Sequence, residues 1–201
     1  MLESHIQDRI INNTERKGRV VLLGDQTLSF ANTPTAPYLK GCGFDDVVSI
    51  DYNGKATVNH DLNVPLPGLD LTADVLYDGG TIEHVSNIAE GFATIVRIVK
   101  VGGLLIQAVP VNCYGESYFN IDPMFLRDFY VLNGFRELEL SLYYRKVPYR
   151  SDFRDSTDSI VTMPVSTQPP FPLRTHVIYM GVKQQHKWPI VWPHQSNYQS
   201  V

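Results

Sequence analysis

The sequence has few cysteines, no long apolar segment and no basic leader, and each absence excludes a class of protein. Cys42 and Cys113 are the only cysteines among 201 residues, and their spacing matches neither a CxxC redox motif nor a zinc knuckle. No segment approaches the roughly 20 apolar residues that a bilayer span needs. The first residues, Met1 to His5, lack the basic and apolar regions of a secretion signal. We therefore expect a reduced, cytoplasmic protein with no membrane partner.

Positive charge is also scarce, because the formal net charge is −4. This balance argues against broad electrostatic attraction to nucleic acid, so we expect a small-molecule or carbohydrate-like partner and no nucleic acid. The content of 43% hydrophobic and 19% charged residues is ordinary for a globular protein. A chain of this length buries one substantial core, which predicts one domain over 1–201, folding alone or as a homo-oligomer.

Short apolar runs alternate with helical patterns, which is the signature of a parallel sheet. Strands are predicted at five places before residue 110: 19–24, 46–51, 56–61, 73–78 and 103–109. Pro110 is expected to stop the fifth strand. Helices are predicted at 2–13, at 34–41 with Thr33 as N-cap, from 86 up to Gly102, and at 123–132 between Asp122 and Asn133-Gly134.

The last part of the chain predicts two further strands, 135–143 and 175–182, which could pair antiparallel. Between them lies a polar, proline-rich stretch from about 147 to 172. A connection of that length is either a lid over a site or a solvated loop. The tail, 184–201, carries Trp188 and Trp192 without a helical or strand period.

Polar residues follow several predicted strands, at the edge where open parallel sheets bind ligands. They are Gly24-Asp25, Asp51, Asp61, Asp78-Gly79-Gly80 and Pro110-Val111-Asn112. A carboxylate after the second strand can accept both hydroxyls of a ribose, and Asp51 is our candidate. The alternative is that Asp51 to Gly54 form an ordinary turn, in which Asp and Asn are common.

The first turn does not have the glycines that dinucleotide or phosphate binding requires. A dinucleotide oxidoreductase needs GxGxxG so that the pyrophosphate can reach a helix N-terminus. The sequence has Gly24-Asp25-Gln26-Thr27-Leu28-Ser29 instead, with an acid where phosphate would sit. A Rossmann oxidoreductase and a P-loop protein are therefore both disfavoured.

Several segments together resemble the class I S-adenosylmethionine-dependent methyltransferases. An Asp-led strand is followed by Glu83-His84-Val85, an amphipathic helix and then Lys100-Val101-Gly102-Gly103, with Val101 where that family usually has proline. The segment from His60 to Pro67 resembles the one whose acid contacts the adenine amino group. The resemblance spans about residues 18–183.

This resemblance implies an α/β fold of the Rossmann-like type. Its three-layer sandwich contains a mostly parallel seven-stranded sheet with an antiparallel last strand. The implied cofactor is S-adenosylmethionine, and the implied cofactor residues are Gly24, Asp25, Asp51, Asp61, Leu62, Asp78, Gly79 and Gly80. The first loop departs from the family pattern, because one of its three glycines remains, at Gly24. Side chains at Gln26 and Leu28 would crowd the cofactor unless the loop moves outward.

Methyl transfer is an in-line displacement that mainly requires alignment, with a base only for a protonated acceptor. His84 is the candidate base, and its alternative role is to stabilise the turn. Asn112, Tyr114 and Tyr118 are candidates for the acceptor pocket, although the tyrosines could equally be surface aromatics. The histidines show no HxH or HxxxH spacing, so no metal is predicted.

Two functions follow from this interpretation. The first is an S-adenosylmethionine-dependent methyltransferase that acts on a small molecule or carbohydrate precursor. The second is a catalytically silent methyltransferase-like domain that serves as a binding or assembly module, which the two missing glycines favour.

Overall fold

A computed structural model describes residues 18–28, 33–145, 160–166, 172 and 174–194. The predicted helix over 2–13, most of the predicted lid over 147–172 and the end of the tail lie outside these residues.

The described chain forms an eight-stranded sheet with helices on both faces. The strands are β1 (Arg19–Leu23), β2 (Thr27–Leu28), β3 (Thr33–Pro34), β4 (Asp46–Asp51), β5 (Val58–Asn59), β6 (Ala73–Gly79), β7 (Val99–Asn112), β8 (Phe135–Arg145), β9 (Ile160–Pro164) and β10 (Thr175–Lys183). The helices are α1 (Thr35–Gly41), α2 (Ile88–Ile98) and α3 (Pro123–Leu132), with a 3-10 turn at Ile82–His84. β2 and β3 pair separately as a small antiparallel ladder.

The order of strands in the main sheet is β5-β4-β1-β6-β7-β10-β8-β9. The first five are mutually parallel, whereas β10 lies antiparallel between β7 and β8. The antiparallel last strand is therefore confirmed. The sheet has eight strands instead of seven, because β9 adds an antiparallel edge strand beside β8, within the stretch predicted as a lid.

The three-layer arrangement follows from the alternation of side chains along the buried strands. In β1, Val20 and Leu22 pack on the side that contains Leu39 of α1. Val21 and Leu23 pack on the opposite side, in the larger cluster with α2 and α3. The predicted Rossmann-like three-layer α/β sandwich is thereby confirmed.

Aromatic rings from α2 and α3 fill the larger cluster. Phe92 makes an edge contact with Phe129 at a centroid distance of 5.3 Å, and Tyr130 stacks on Tyr179 of β10 at 4.7 Å. Each such pair adds about 0.5–1.5 kcal/mol to the stabilisation from burial. These contacts fix α3 against the antiparallel part of the sheet.

α3 begins and ends as predicted. The carboxylate of Asp122 accepts a hydrogen bond from the backbone N–H of Met124 at 2.7 Å, and Pro123 follows as the first helical residue. Asn133 is the C-cap, and Gly134 has a φ of +87°. Both ends thus have the residue types that their backbone conformations favour.

Several predicted boundaries are wrong. Gly102 does not end α2, which stops at Ile98. Its φ of +84° instead serves an irregularity in β7, where the register with β6 shifts. Pro110 does not stop β7, because pairing with β6 ends at Gly79 and Ala108. Beyond that pair β7 has a described neighbour on one side only, and such an edge position tolerates proline.

The third wrong boundary concerns the start of α1. The capping residue is Pro34, with φ −56° and ψ 135°, and no side chain among the described residues caps the helix. Thr33 belongs to β3 instead. The predicted strand over 56–61 is also shorter than expected, because β5 contains Val58 and Asn59 alone.

Candidate cofactor-binding edge

The carboxyl ends of β1 and β4 bring Asp25 and Asp51 together. β1 and β4 are parallel and in register, with Leu23 opposite Ile50. The backbone N–H of Asp25 donates to Oδ2 of Asp51 at 2.8 Å, and the amide of Asn53 lies 3.3 Å from Oδ2 of Asp51 and 3.5 Å from Oδ2 of Asp25. Asp25 and Asp51 therefore lie side by side at this edge of the sheet.

Asn53 is a residue of this edge that the sequence did not single out. Its backbone N–H also donates to Oδ1 of Asp51 at 3.2 Å, and its side-chain oxygen accepts from the backbone of Lys55 at 2.8 Å. Asp51 to Gly54 are thus a turn, as the alternative proposed, and the same turn holds the Asp51 carboxylate in place. The two interpretations are compatible.

Gly24 forms the sharp turn after β1. Its φ is +83°, and its N–H donates to the carbonyl of Ile50 at 2.8 Å. A Cβ atom here would lie 2.6 Å from Oγ1 of Thr81. The turn after β6 therefore packs so closely on this backbone that only glycine fits without movement.

The Gln26 side chain is folded back into the first turn. It is 7% exposed, and its amide nitrogen donates to the carbonyl of Leu23 at 2.8 Å. Its Oε1 is buried without a hydrogen-bond partner among the described residues. Gln26 thus occupies space that the family pattern leaves to glycine, whereas the side chain of Leu28 lies outside the described atoms.

Asp61 lies two residues beyond the short β5. Its carboxylate accepts from the backbone and side chain of Asn63 at 2.9 and 2.7 Å, and these hydrogen bonds hold its pKa below the ordinary value. Leu62 beside it is buried. Asn63 in turn accepts from Ser86 at 2.7 Å and from the backbone of Asn87 at 2.8 Å, which ties this turn to the start of α2.

Asp78, at the end of β6, points into the protein. One carboxylate oxygen accepts from the backbone of Thr81 at 3.0 Å, and the other accepts from Gln107 at 2.8 Å. The side-chain oxygen of Gln107, Oε1, accepts from the hydroxyl of Tyr130 at 2.8 Å. Burial raises the pKa of Asp78 above its ordinary value. This chain of polar groups fixes the turn at Gly79-Gly80. The hydroxyl of Thr81 in the same turn donates to the carbonyl of Leu23 at the end of β1.

Glu83 and His84 differ sharply in exposure. Glu83 is 4% exposed, and its Oε2 has no hydrogen-bond partner within the described chain. Burial, together with the nearby Asp78 carboxylate, raises the pKa of Glu83. The His84 side chain is about half exposed, with Nε2 4.0 Å from Oε1 of Glu83. Only the histidine of this pair is therefore open to a ligand.

The predicted acceptor residues lie at the end of β7, with Asn112, and on the segment that follows it, with Tyr114 and Tyr118. Tyr114 and Tyr118 are 97% and 75% exposed, and Asn112 donates to the carbonyl of Pro172 at 3.4 Å. The backbone N–H groups of Tyr118 and Phe119 both approach the carbonyl of Glu83, at 3.2 and 3.3 Å. The acceptor segment is thereby attached to the turn that carries His84.

The same fold occurs in solved methyltransferase structures. A SAM-dependent methyltransferase from Archaeoglobus fulgidus superposes with a TM-score of 0.58 at 14% identity, covering 88% of this chain and 91% of the other. A chain of the complex between the Haloferax volcanii Trm112 methyltransferase activator and a candidate methyltransferase gives 0.54 at 15% identity, covering 91% and 90%. A single-residue mutant of the 16S rRNA (adenine(1408)-N(1))-methyltransferase from Catenulisporales acidiphilia gives 0.52 at 14% identity, covering 93% and 96%.

Sequence comparison alone adds nothing to these structural matches. No protein-family model matches the chain, and no curated protein matches it. In the described ranges, every helix is too short or too polar to span a bilayer.

The exclusion of nucleic acid from the partners is wrong. It rested on net charge, and an enzyme named for a 16S rRNA substrate has this fold over 93% of the chain. A negative net charge averages over the whole surface, whereas RNA contacts depend on where individual charges lie.

At 14–15% identity these superpositions establish the fold. They confirm, for the fold, the resemblance that was inferred from the Asp-led strand, the Glu83-His84-Val85 turn and the Lys100 to Gly103 segment. The chain has the fold of the class I S-adenosylmethionine-dependent methyltransferases.

Proposed function

We propose that this protein is a methyltransferase that binds S-adenosylmethionine across the carboxyl ends of β1, β4 and β6. The observation that carries the proposal is the meeting of Asp25 and Asp51 beside the left-handed Gly24, in the fold of this enzyme class. Acidic side chains at this edge match the needs of a nucleoside with two ribose hydroxyls and a charged ammonium group.

The nucleoside half of the cofactor fits the residues that are present. A carboxylate offers about four acceptor positions, and the contacts from Asp25 and Asn53 take three at Asp51. Asp51 is held rigidly by backbone donors and remains partly exposed. One position remains, so Asp51 would accept one ribose hydroxyl directly, and a second would require the Asn53 amide to move aside. Asp61 and Leu62, on the adjoining turn, would contact the adenine.

The methionine half requires the Gln26 side chain to move. In its inward position Gln26 makes one hydrogen bond, and its buried Oε1 lacks a partner in the described structure. An unsatisfied buried oxygen costs about 1–3 kcal/mol, comparable with or larger than the roughly 0.5–1.5 kcal/mol that one hydrogen bond contributes. Rotation toward solvent satisfies both ends of the amide, so displacement of this side chain is inexpensive.

Once bound, the cofactor supplies an electrophilic methyl group on a sulfonium. The protein's contribution is to hold the acceptor in line, and Tyr114 and Tyr118 present exposed rings for that purpose beside the His84 turn. The half-exposed imidazole of His84 is placed to take a proton from an acceptor that arrives protonated.

Replacing Asp51 by alanine tests the proposal. We expect the dissociation constant for S-adenosylhomocysteine to rise more than tenfold, because a hydrogen bond to a charged group contributes about 1.5–3 kcal/mol. Isothermal titration calorimetry measures this change, and Asp51→Asn separates the charge from the support of the Asp25 backbone. Asp45→Ala is the matched control, since Asp45 is an exposed acid at the other end of β4. Equal affinity in Asp51→Ala and wild type would remove Asp51 from the site.

Replacing Gln26 by glycine restores one residue of the family pattern. We expect the affinity for S-adenosylhomocysteine to increase by at most about tenfold, because the side chain's hydrogen bond, about 0.5–1.5 kcal/mol before the gain at Oε1 is counted, no longer has to be broken. The same calorimetric titration reads out this change. Weaker binding in Gln26→Gly would show instead that the glutamine contacts the ligand.

The second function, a silent binding or assembly module, is favoured by one observation, the buried position of Gln26. This second function predicts that calorimetry detects no heat of binding when S-adenosylmethionine is added to the wild type or to Gln26→Gly. The acceptor class is found separately, by following a labelled methyl group into RNA and into small-molecule and carbohydrate fractions. RNA is included because of the rRNA-modifying neighbour.

A further inference from the structure

We propose that Cys113, Glu116 and His176 bind a zinc ion beside the acceptor segment. The donor atoms of these three side chains all lie within 4.8 Å of one another. Cys113 and Glu116 follow β7, whereas His176 comes from the start of β10, so the antiparallel insertion of β10 brings the set together. The proposal stands independently of cofactor binding.

The spacing of sulfur and imidazole suits tetrahedral zinc. Sγ of Cys113 lies 3.7 Å from Nε2 and 3.9 Å from Nδ1 of His176. With Zn–S near 2.3 Å and Zn–N near 2.0–2.1 Å, tetrahedral coordination separates the two donors by about 3.6 Å. Because Sγ is almost equidistant from the two nitrogens, the ring must rotate about its Cβ–Cγ bond before Nε2 points at the ion.

The imidazole is held in the form that binds metal. Nδ1 of His176 lies 3.1 Å from the carbonyl oxygen of Arg174, and because a carbonyl can only accept, Nδ1 carries the hydrogen. The lone pair is then on Nε2, the nitrogen nearer to the sulfur. Zinc-binding histidines commonly donate their other N–H to a backbone carbonyl in this way. The ring stacks on Tyr143 at a centroid distance of 5.2 Å, so the rotation that metal binding requires changes this contact.

Cys113 is positioned by its backbone. Its N–H donates to the side-chain oxygen of Asn120 at 2.8 Å, and the residue is 2% exposed. Its Sγ lies 3.8 Å from the carbonyl oxygen of Thr175 as well as 3.7 Å from Nε2 of His176, so a bound ion would replace the S–H contact with that carbonyl. Zinc binding replaces the thiol proton, which passes to solvent as the S–Zn bond forms.

Glu116 supplies the third donor from the exposed side. Its Oε1 lies 3.8 Å from Nη1 of Arg174, so the guanidinium competes with a cation for this carboxylate. A thiolate, an imidazole and a carboxylate together favour zinc over magnesium or calcium, which prefer oxygen ligands alone. Three protein ligands leave a fourth coordination position for water or another small ligand.

Metal titration of the full chain tests the proposal. After treatment with a chelator, we expect the wild type to bind one equivalent of Zn²⁺, and Co²⁺ to give a thiolate charge-transfer band with the intense visible spectrum of tetrahedral cobalt. Cys113→Ser should lose the charge-transfer band and bind Zn²⁺ more than 100-fold more weakly. Loss of an outer-shell partner already costs about 10- to 100-fold.

Two further variants make the result decisive. Cys42→Ser is the matched control, because Cys42 is the other cysteine and should leave the band intact. Glu116→Gln changes an exposed side chain, so it should keep the circular dichroism spectrum of the wild type while weakening Zn²⁺ at least tenfold. A band that persists in Cys113→Ser, a band lost in Cys42→Ser, or no saturable binding by the wild type would overturn the proposal.

Discussion

Replacing Glu83 by glutamine should stabilise the protein above neutral pH by about 2–3 kcal/mol relative to the wild type. Glu83 is almost completely buried beside Asp78, and both burial and this neighbour raise its pKa above the ordinary 4.5. The folded state therefore retains a proton that the unfolded state has already lost. Glutamine keeps the shape of the side chain and does not titrate.

The sign of the pH dependence follows from proton binding. Above pH 4.5 the folded chain binds more protons at Glu83 than the unfolded chain, so the free energy of unfolding falls as pH rises. The slope is about 1.4 kcal/mol per pH unit for one proton, up to the raised pKa. The contribution of Glu83 is therefore fully present below its unfolded pKa and is lost as the folded group ionises.

Urea denaturation at a series of pH values from about 5 to about 8 measures this effect. The wild-type curve should fall more steeply than that of Glu83→Gln, and the two should converge toward the acid end. Asp45→Asn is the control for the loss of one carboxylate, because it changes an exposed acid and keeps the buried Glu83 and Asp78. Parallel curves for wild type and Glu83→Gln would mean that Glu83 ionises normally in the folded protein.

Replacing Gly134 by alanine should destabilise the protein by about 3 kcal/mol or more, through two separable causes. The backbone φ of +87° is unfavourable for any residue with a Cβ atom. That Cβ atom would also meet the carbonyl oxygen of Gln185 well inside contact distance, while the Gly134 carbonyl accepts from Gln184 and Gln185. The clash is with backbone, which cannot move away as a side chain would.

Gly102→Ala separates the two causes. Gly102 has nearly the same φ, +84°, but a Cβ atom there meets no atom of the described chain within 4 Å. We expect its loss of stability to be about 1–2 kcal/mol, the cost of the left-handed conformation alone. Thermal and urea unfolding of both variants measure the difference. Equal losses at the two positions would show that the chain relaxes around the Gln185 carbonyl.

The fold was predictable because its signals are local. Continuous apolar runs marked β1, β4 and β6, and Asp122 with Asn133-Gly134 marked both ends of α3. The antiparallel position of the last strand came from the family resemblance, since no local pattern specifies which neighbours a strand will choose. β9 was missed although Ile160-Val161-Thr162-Met163 is a β-branched and apolar run, because the whole stretch around it was interpreted as polar and proline-rich.

The edge residues were predictable only in part. Asp25 and Asp51 follow apolar runs and were found, whereas the Gln26 side chain could have pointed in either direction until the turn was seen. Gln107 offered a missed signal, because a polar residue within the apolar strand 104–109 indicates a buried polar partner, here Asp78. The approach of Cys113 to His176 had no sequence signal, since 63 positions separate them.

Buried cations are equally hard to foresee. Lys183 is the last residue of β10, where a lysine is usually exposed. It is nevertheless fully buried, and its Nζ lies 2.5 Å from the carbonyl of Val96 and 2.9 Å from that of Val99. It thereby satisfies carbonyl groups at the end of α2. Burial lowers the pKa of Lys183 to about 8.

The central position of β10 has a consequence for the order in which the protein is made. During translation β7 and β8 leave the ribosome long before residues 175–183, yet in the native sheet both pair with that segment. Until it emerges, β7 and β8 lack their shared neighbour and each has an unpaired edge that other nascent chains can contact. β8 and β9 can join the five parallel strands only after residues 175–183 have been made.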